Sequence, residues 1–315
     1  MDNDNNQRNR CNQNKNTKLC SINIDGLSSK SKLLLDKYAN DESFGIIFAQ
    51  ETGQREIEKI KLSNMKTVAD TNSSKNRGAL LYIHNSIPHV NLPDISKKSN
   101  EIDSAWAVAI INKKKYIIGS IYVKLNYPDA IKEALSLLNY ANIKRKSLKA
   151  QGIILAGDFN ARHHAWGDSK TTTNGKKLFE QLDHTEFKIC TSKTPTFLCV
   201  DGSSHIDLMI VSINIVDKIS PFRTDSIVEL GAGAPDRGHV PLITSIDECN
   251  PKQQVPKEKL DIEKTNWEEW SEDLENSISS KECNAEDPYA IWEHLEMQIN
   301  HVNSRNCKIK KSYFP

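Results

Sequence analysis

Ile153-Ile154-Leu155-Ala156-Gly157-Asp158-Phe159-Asn160 runs from three apolar residues through a small pair into an acid and an amide two residues apart. A short apolar run closed by glycine predicts a buried strand. Side chains two apart on a strand share a face. Asp158 and Asn160 are therefore expected to look the same way where the chain leaves the sheet. A carboxylate can take a proton from water, and a neighbouring amide can donate to a charged oxygen. Gly, Asp and Asn are also ordinary turn residues, so this segment alone leaves catalysis and a plain turn open.

Other strand ends carry similar groups. Ser21–Leu27 reads as a strand ending on Asn23 and Asp25, again two apart, and Ile46–Thr52 is an apolar run ending on Glu51. Ile117–Tyr122 ends on Tyr122, His205–Val211 sets Asp207 among apolar residues, and Asp236–Leu242 places His239 before another apolar run. Taken singly, a strand-end acid is solvated or caps a helix, and a lone histidine is structural. Six strand ends bearing such groups suggest a site, because strand ends are where sites assemble in open α/β folds.

In this order, the strings INIDGL (22–27), FAQET (48–52), SIY (120–122), GDFNARHHAWGD (157–168), SHIDLMIV (204–211) and GHVPL (238–242) resemble the endonuclease/exonuclease/phosphatase superfamily. The resemblance is closest to the apurinic-type endonuclease domain of non-LTR retrotransposons of the jockey, R1 and I-element kind. Its most specific part is Asn160-Ala-Arg-His, then Trp166-Gly167, then Thr173-Asn174-Gly175 leading into a helix. It covers about residues 18 to 247. It implies a four-layer α/β sandwich, two packed mixed β-sheets flanked by helices.

Composition agrees with this and decides little. The 315 residues suffice for one large domain plus appendages. No apolar run approaches the ~18 residues of a membrane span. The Asn/Gln/Lys/Arg-rich start has no apolar segment and is not a secretory signal; its low hydrophobicity predicts a disordered stretch over residues 1–17. Seven scattered cysteines without a CxxC indicate neither a zinc site nor a disulfide framework and fit a reducing interior. Net charge is +1, but residues 1–250 hold 33 Lys+Arg against 28 Asp+Glu, and the remainder holds 9 against 13. A mildly basic domain with an acidic tail is compatible with a phosphate-backbone partner.

The expected boundaries follow. The endonuclease domain spans 18–249. Residues 250–260, with two prolines in polar context, form a linker. Residues 261–315 form a helical connector, with helices at Trp267–Ser279 and Pro288–Val302, resembling the region that leads toward a reverse transcriptase. Within the domain, helices are expected at Ser31–Ala39 and Tyr127–Leu148 and a strand at Gly78–His84. Trp106–Ile111 and Tyr116–Val123 should form a hairpin around Asn112-Lys113-Lys114.

The resemblance implies roles for the strand-end residues. Glu51 is the expected Mg²⁺ ligand (Mn²⁺ is an alternative), with Asp25 and Asn23 completing the metal and phosphate contacts; magnesium takes only one or two carboxylates and keeps its waters. Asp158 is the expected base, and Asn160 the donor to developing charge. His239 contacts the scissile phosphate, with Asp207 fixing its tautomer and keeping it protonated. Tyr122 is expected near the leaving group, the alternative being a half-buried strand tyrosine. Arg162 and His163 are expected to face the substrate. Two departures stand out. The family places an Asp directly before the final His, where this chain has Gly238, leaving Asp236 as an orienting acid only by a loop detour. His205 stands where an Arg is common.

The implied activity is a Mg²⁺-dependent DNA endonuclease that nicks one strand, leaving a 3′-hydroxyl to prime reverse transcription. Its setting would be intracellular and nuclear, with DNA as partner and a reverse transcriptase or element RNA in the full-length context. The alternatives are another superfamily phosphodiesterase (an abasic-site nuclease, a deadenylase or a phosphatase) or a decayed copy that binds DNA without cutting.

Overall fold

The computed structural model describes residues 16–53, 60–69, 78–183, 185–200, 202–225 and 238–247, then 257–260, 265–279 and parts of 295–312. The chain divides into two compact units, Met1–Asn250 and Pro251–Pro315.

The first unit has fifteen strands among its described residues: β1 Thr17–Asn23, β2 Ile46–Gln50, β3 Met65–Ala69, β4 Leu80–His84, β5 His89–Asn91, β6 Ile102–Ile111, β7 Lys114–Val123, β8 Gly152–Asp158, β9 Phe187–Cys190, β10 Phe197–Cys199, β11 Gly202–Ser204, β12 Asp207–Ser212, β13 Arg223–Thr224, β14 Gly238–His239 and β15 Leu242–Ile246. Two six-stranded mixed sheets form, in the orders β13-β15-β1-β2-β4-β3 and β5-β6-β7-β8-β12-β9, with a small β11-β10-β14 sheet beside them. The pairs β1/β2 and β7/β8 are parallel.

Helix α1 (Ser29–Glu42) packs Leu35 and Ala39 on the outer face of the first sheet, against Ile22, Ile47 and Tyr82. Helices α2 (Ala130–Ser147) and α3 (Thr173–Leu182) cover the outer face of the second, against Ile117, Ile153, Leu208 and Ile210. The four-layer α/β sandwich expected from the sequence is therefore present. Capping follows ordinary rules: the Ser28 and Thr172 side chains accept from the Ser31 and Gly175 amides at the starts of α1 and α3.

The layer between the sheets positions the site. Every second residue points into it, and the side chains change character along the strands. At one end lie Leu19, Ile46, Phe48, Ile118, Ile154 and Met209. Further along come buried Ser21, Gln50 and Ser120, and the Gln50 Nε2 donates to Ser120 Oγ at 3.0 Å across the two sheets. At the far end stand Asn23, Tyr122, Asp158 and Asp207, all nearly inaccessible. A dry hydrocarbon layer thus grades into a cluster of ionisable groups at one pole, where the sandwich can open to a ligand.

Several expected boundaries shift for local reasons. The first strand stops at Asn23 because Asp25 turns into the left-handed region with φ +47. The helix expected from Tyr127 begins at Ala130, after Pro128 and Asp129. In the second unit, α4 covers Trp267–Ser279 as expected, and β16 (Lys257–Leu260) pairs with β17 (Ile309–Ser312). Most of Pro288–Val302, like residues 1–15, lies outside the described residues.

Candidate active site

Asn23, at the end of β1, is the hub. Its Oδ1 accepts the Asp25 backbone N–H at 3.1 Å, which fixes the amide orientation. Its Nδ2 donates to Glu51 Oε1 at 3.0 Å and to Asp158 Oδ2 at 2.9 Å, joining the two main sheets through one amide. Glu51 follows β2, whose last residue, Gln50, already faces the inter-sheet layer. Simple alternation would turn Glu51 away. Its φ of +51 breaks that alternation and lets the carboxylate reach Asn23. Such a conformation in a non-glycine residue costs about 1–2 kcal/mol.

Asp158 ends β8 and opposes Asp207, the first residue of β12, in register. Tyr122 on β7 is in register with Asp158, and Asp103 on β6 with Tyr122. Asp103, Tyr122, Asp158 and Asp207 therefore form one rank across four adjacent strands. The Lys124 ammonium lies 3.2 Å from Asp103 Oδ1 at the edge of that rank. Gly157 makes the rank feasible: a Cβ there would lie 1.8 Å from the Ile121 carbonyl oxygen on β7.

The small third sheet delivers His239. β14 pairs with β10, with His239 opposite Phe197, and the two rings lie 4.8 Å apart. His239 Nδ1 is 2.9 Å from Asp207 Oδ2, and Nε2 is 3.7 Å from Asp158 Oδ2, too long for a hydrogen bond. The buried Thr196 hydroxyl accepts the Asp207 backbone N–H at 3.1 Å.

Charge is shared unevenly in this cluster. Burial, then the Asp207 carboxylate, pushes Asp158 up to about 7, opposed by His239 and by hydrogen bonds from Asn160 and Asn23. Burial alone would lower the His239 pKa; Asp207, followed by Asp158 and Glu51, outweighs it and raises His239 to about 9. Both shifts are upward, so the folded chain holds these protons more tightly than the unfolded one. Their contribution to stability falls as pH rises from about 4 through about 9.

Asp158, Asp207 and His239 present ligand atoms within 4.8 Å of one another. An imidazolium cannot ligate a metal, which makes this trio a poorer ion site than its spacing suggests. Glu51 and Asp158 offer hard carboxylate oxygens side by side, each steadied by the Asn23 Nδ2. Those residues fit a magnesium-like ion.

The other expected residues meet this cluster through their backbone or not at all. Asp25 is exposed, and its φ of +47 turns it from the Asn23 face. Asn160 has the same φ of +47, so alternation fails there too. Its backbone N–H donates to Asp158 Oδ1 at 2.9 Å, and one side-chain N–H goes to the Val123 carbonyl at 2.8 Å. Arg162, expected to face the substrate, is instead committed inward. Its Nε donates to buried Asp168 at 2.8 Å, and a terminal nitrogen donates to the Ser203 carbonyl. His163 stacks on Phe179 at 4.5 Å, and its Nδ1 accepts the Ala165 N–H. Burial, then His164, lowers its pKa, so near neutrality it is an uncharged aromatic ring. Asp236 lies outside the described residues. Gly238 has φ +109, where an L-residue is strained. Gly238→Asp is accordingly expected to lower the melting temperature and slow any turnover; faster turnover would show that the site lacked an acid.

Sequence reasoning missed Gln50, Ser120, Thr196 and Asp103. For the first two the signal was present: polar residues at alternate positions of otherwise apolar strands, just before the functional ends.

In fold, and over part of its sequence, the chain is similar to retrotransposon endonucleases. Residues 116–229 match the family described as endonuclease-reverse transcriptase. The RNA-directed DNA polymerase from mobile element jockey of Drosophila funebris is 25% identical over 53% of this chain and 18% of its own length. The probable RNA-directed DNA polymerase from transposon X-element of Drosophila melanogaster is 23% identical over 81% of this chain and 27% of its own. The chain thus spans about a quarter or less of these relatives. In fold it is similar to the endonuclease domain of TRAS1, a telomere-specific non-LTR retrotransposon (TM-score 0.59, 17% identity, 74% of this chain and 98% of that one). It is likewise similar to the AP endonuclease LMAP from Leishmania major (TM-score 0.60, 12% identity, 74% and 88%). Among the described residues no helix is long and apolar enough to cross a membrane.

Proposed function

We infer that this chain is a divalent-metal-dependent DNA endonuclease that nicks one strand and leaves a 3′-hydroxyl suited to priming reverse transcription. The observation that carries the reading is the Asn23 amide held between buried Glu51 and Asp158, with the Asp207–His239 pair beside it. Glu51, steadied by Asn23, would hold Mg²⁺ or Mn²⁺, which leaves Asp158 as the base. Bound there, the ion would polarise the phosphodiester and offset charge on the leaving oxygen.

This chain's own residues do the rest. Asp158, with its pKa near neutrality, accepts a proton from the attacking water; the Asn160 N–H and the Asn23 amide hold its two oxygens in place. His239 donates Nδ1–H to Asp207, which leaves Nε2–H to bind a phosphate oxygen as a cation. Tyr122, in the same rank, offers its hydroxyl toward the departing oxygen. In the full-length setting the partner would be a reverse transcriptase acting on the nicked end, as the names of the relatives suggest.

The pH profile tests these assignments. The base must be ionised and His239 protonated, so kcat/KM for plasmid nicking should be bell-shaped. The acid limb is set by Asp158, below about 7 because a cation at Glu51 would lower it, and the alkaline limb is set by His239. Asp207→Asn removes the anion that raises His239, and the alkaline limb should move to lower pH. A limb that stays in place would show that His239 does not set it.

A further inference from the structure

The pole opposite the site carries a second set of charges. Asn112 and Lys113 form the two-residue turn between β6 and β7, with φ +48 and +66. Both central residues at positive φ define a mirror-image turn that favours Asn followed by Gly; here lysine occupies the glycine place. Helix α2 ends in a Schellman pattern, with Ala150 N–H bonded to the Arg145 carbonyl and Lys149 N–H to that of Lys146. Lys149 takes the left-handed position, φ +53, where glycine is the usual residue. Two lysines at one pole thus sit where local sterics ask for glycine.

The segments that carry them are adjacent. Lys115 Nζ donates to the Leu148 carbonyl at 3.5 Å, and the Gln151 N–H donates to the Lys115 carbonyl at 2.7 Å. Lys114 and Lys146 add charge, and Lys218 lies close enough to Lys114 that its ammonium is depressed, burial being the larger cause. Among the described residues the acids on this surface are fewer. Asp94 pairs with Lys144, Glu186 with Arg145, and Asp217 flanks Lys218. Cations at a helix C-terminus offset its dipole, which accounts for Lys144–Lys146. It accounts neither for Lys113 on a hairpin nor for lysine at a glycine position. Broken local rules without a packing gain mark functional positions.

Strand β8 separates this pole from the site by about 20 Å, from Gly152 to Asp158. A duplex on the catalytic end would not reach it without strong bending. The Asp247 N–H bonds to the Lys218 carbonyl at 2.8 Å at this pole.

We propose that Lys113, Lys114, Lys115, Lys146, Lys149 and Lys218 form a second nucleic-acid surface, which grips the phosphodiester backbone of a strand other than the one at the site. The test titrates the full chain, in EDTA, with short labelled single-stranded RNA and separately with short labelled duplex DNA, across salt concentrations. The Lys113→Gly/Lys149→Gly variant should melt higher than wild type, because strain is relieved, yet bind less tightly. Its log–log salt slope for RNA should be shallower by about 1.4, from about 0.7 per lost contact. Lys113→Glu/Lys149→Glu should bind more weakly still, and Lys30→Ala/Lys37→Ala, on α1, should match wild type. Loss confined to one probe identifies the strand as RNA or as DNA. Plasmid nicking by the glycine variant should stay at the wild-type rate, which separates this surface from the catalytic reading. The proposal is overturned if the glycine variant melts no higher, or if its binding curves and slopes superimpose on wild type with both probes.

Discussion

Asp158→Asn is expected to slow plasmid nicking by about 10²–10⁴-fold, the usual loss with a general base, while stability changes by no more than about 1 kcal/mol. Asparagine keeps the shape, and its oxygen can still accept the Asn160 N–H. It cannot take a proton, and it brings no negative charge to the site. Two effects on stability oppose each other. A buried negative charge beside Asp207 disappears, and the Asn23 amide loses one of its two carboxylate partners. His239→Ala should abolish turnover just as fully and should also destabilise the fold, because it leaves Asp207 buried without its cationic partner. Rates and melting curves for the two variants separate these cases. An Asp158→Asn protein that nicks at more than about a tenth of the wild-type rate would remove Asp158 from the role of base.

Gly157→Ala should have the largest effect on the fold, about 3 kcal/mol or more, although only one methyl group is added. That methyl would sit 1.8 Å from the Ile121 carbonyl oxygen, on the parallel neighbour that carries Tyr122. Strands β7 and β8 would have to part next to the site, so activity should fall with stability. Gly202→Ala is the matched control: nothing lies within 4 Å of its Cβ, although its φ of +139 still adds strain. Chemical denaturation of both proteins checks this, and equal midpoints would contradict the close approach.

Most of the sandwich could be read in the chain, because its strands are short apolar runs and their ends carry the acids. The two helices expected at Ser31–Ala39 and Tyr127–Leu148 are present, the first longer, over Ser29–Glu42, and the second starting only at Ala130, past Pro128. Reasoning by alternation failed where the backbone stops being a strand. Asp25, Glu51 and Asn160 all have positive φ, and there a spacing of two residues says nothing about facing. Glu51 gains its place by that departure; Asp25 loses its expected one. The β11-β10-β14 sheet was not legible, because strands of two or three residues rich in Ser, Gly and Cys carry no periodicity. Yet that sheet brings His239 to Asp207. Arg162 was expected to face the substrate from its place just after Gly157-Asp158-Phe159-Asn160; the acid that claims it, Asp168, lies six residues on and is buried.

The central claim is most directly tested by incubating the purified chain with supercoiled plasmid in Mg²⁺ or in excess EDTA, then offering the products to a DNA polymerase. The account predicts open circles with extendable 3′ ends in Mg²⁺, and intact supercoils in EDTA. Undiminished nicking in EDTA would contradict the metal assignment. Tight plasmid binding without nicking in either condition would instead identify a copy that binds DNA without cutting it.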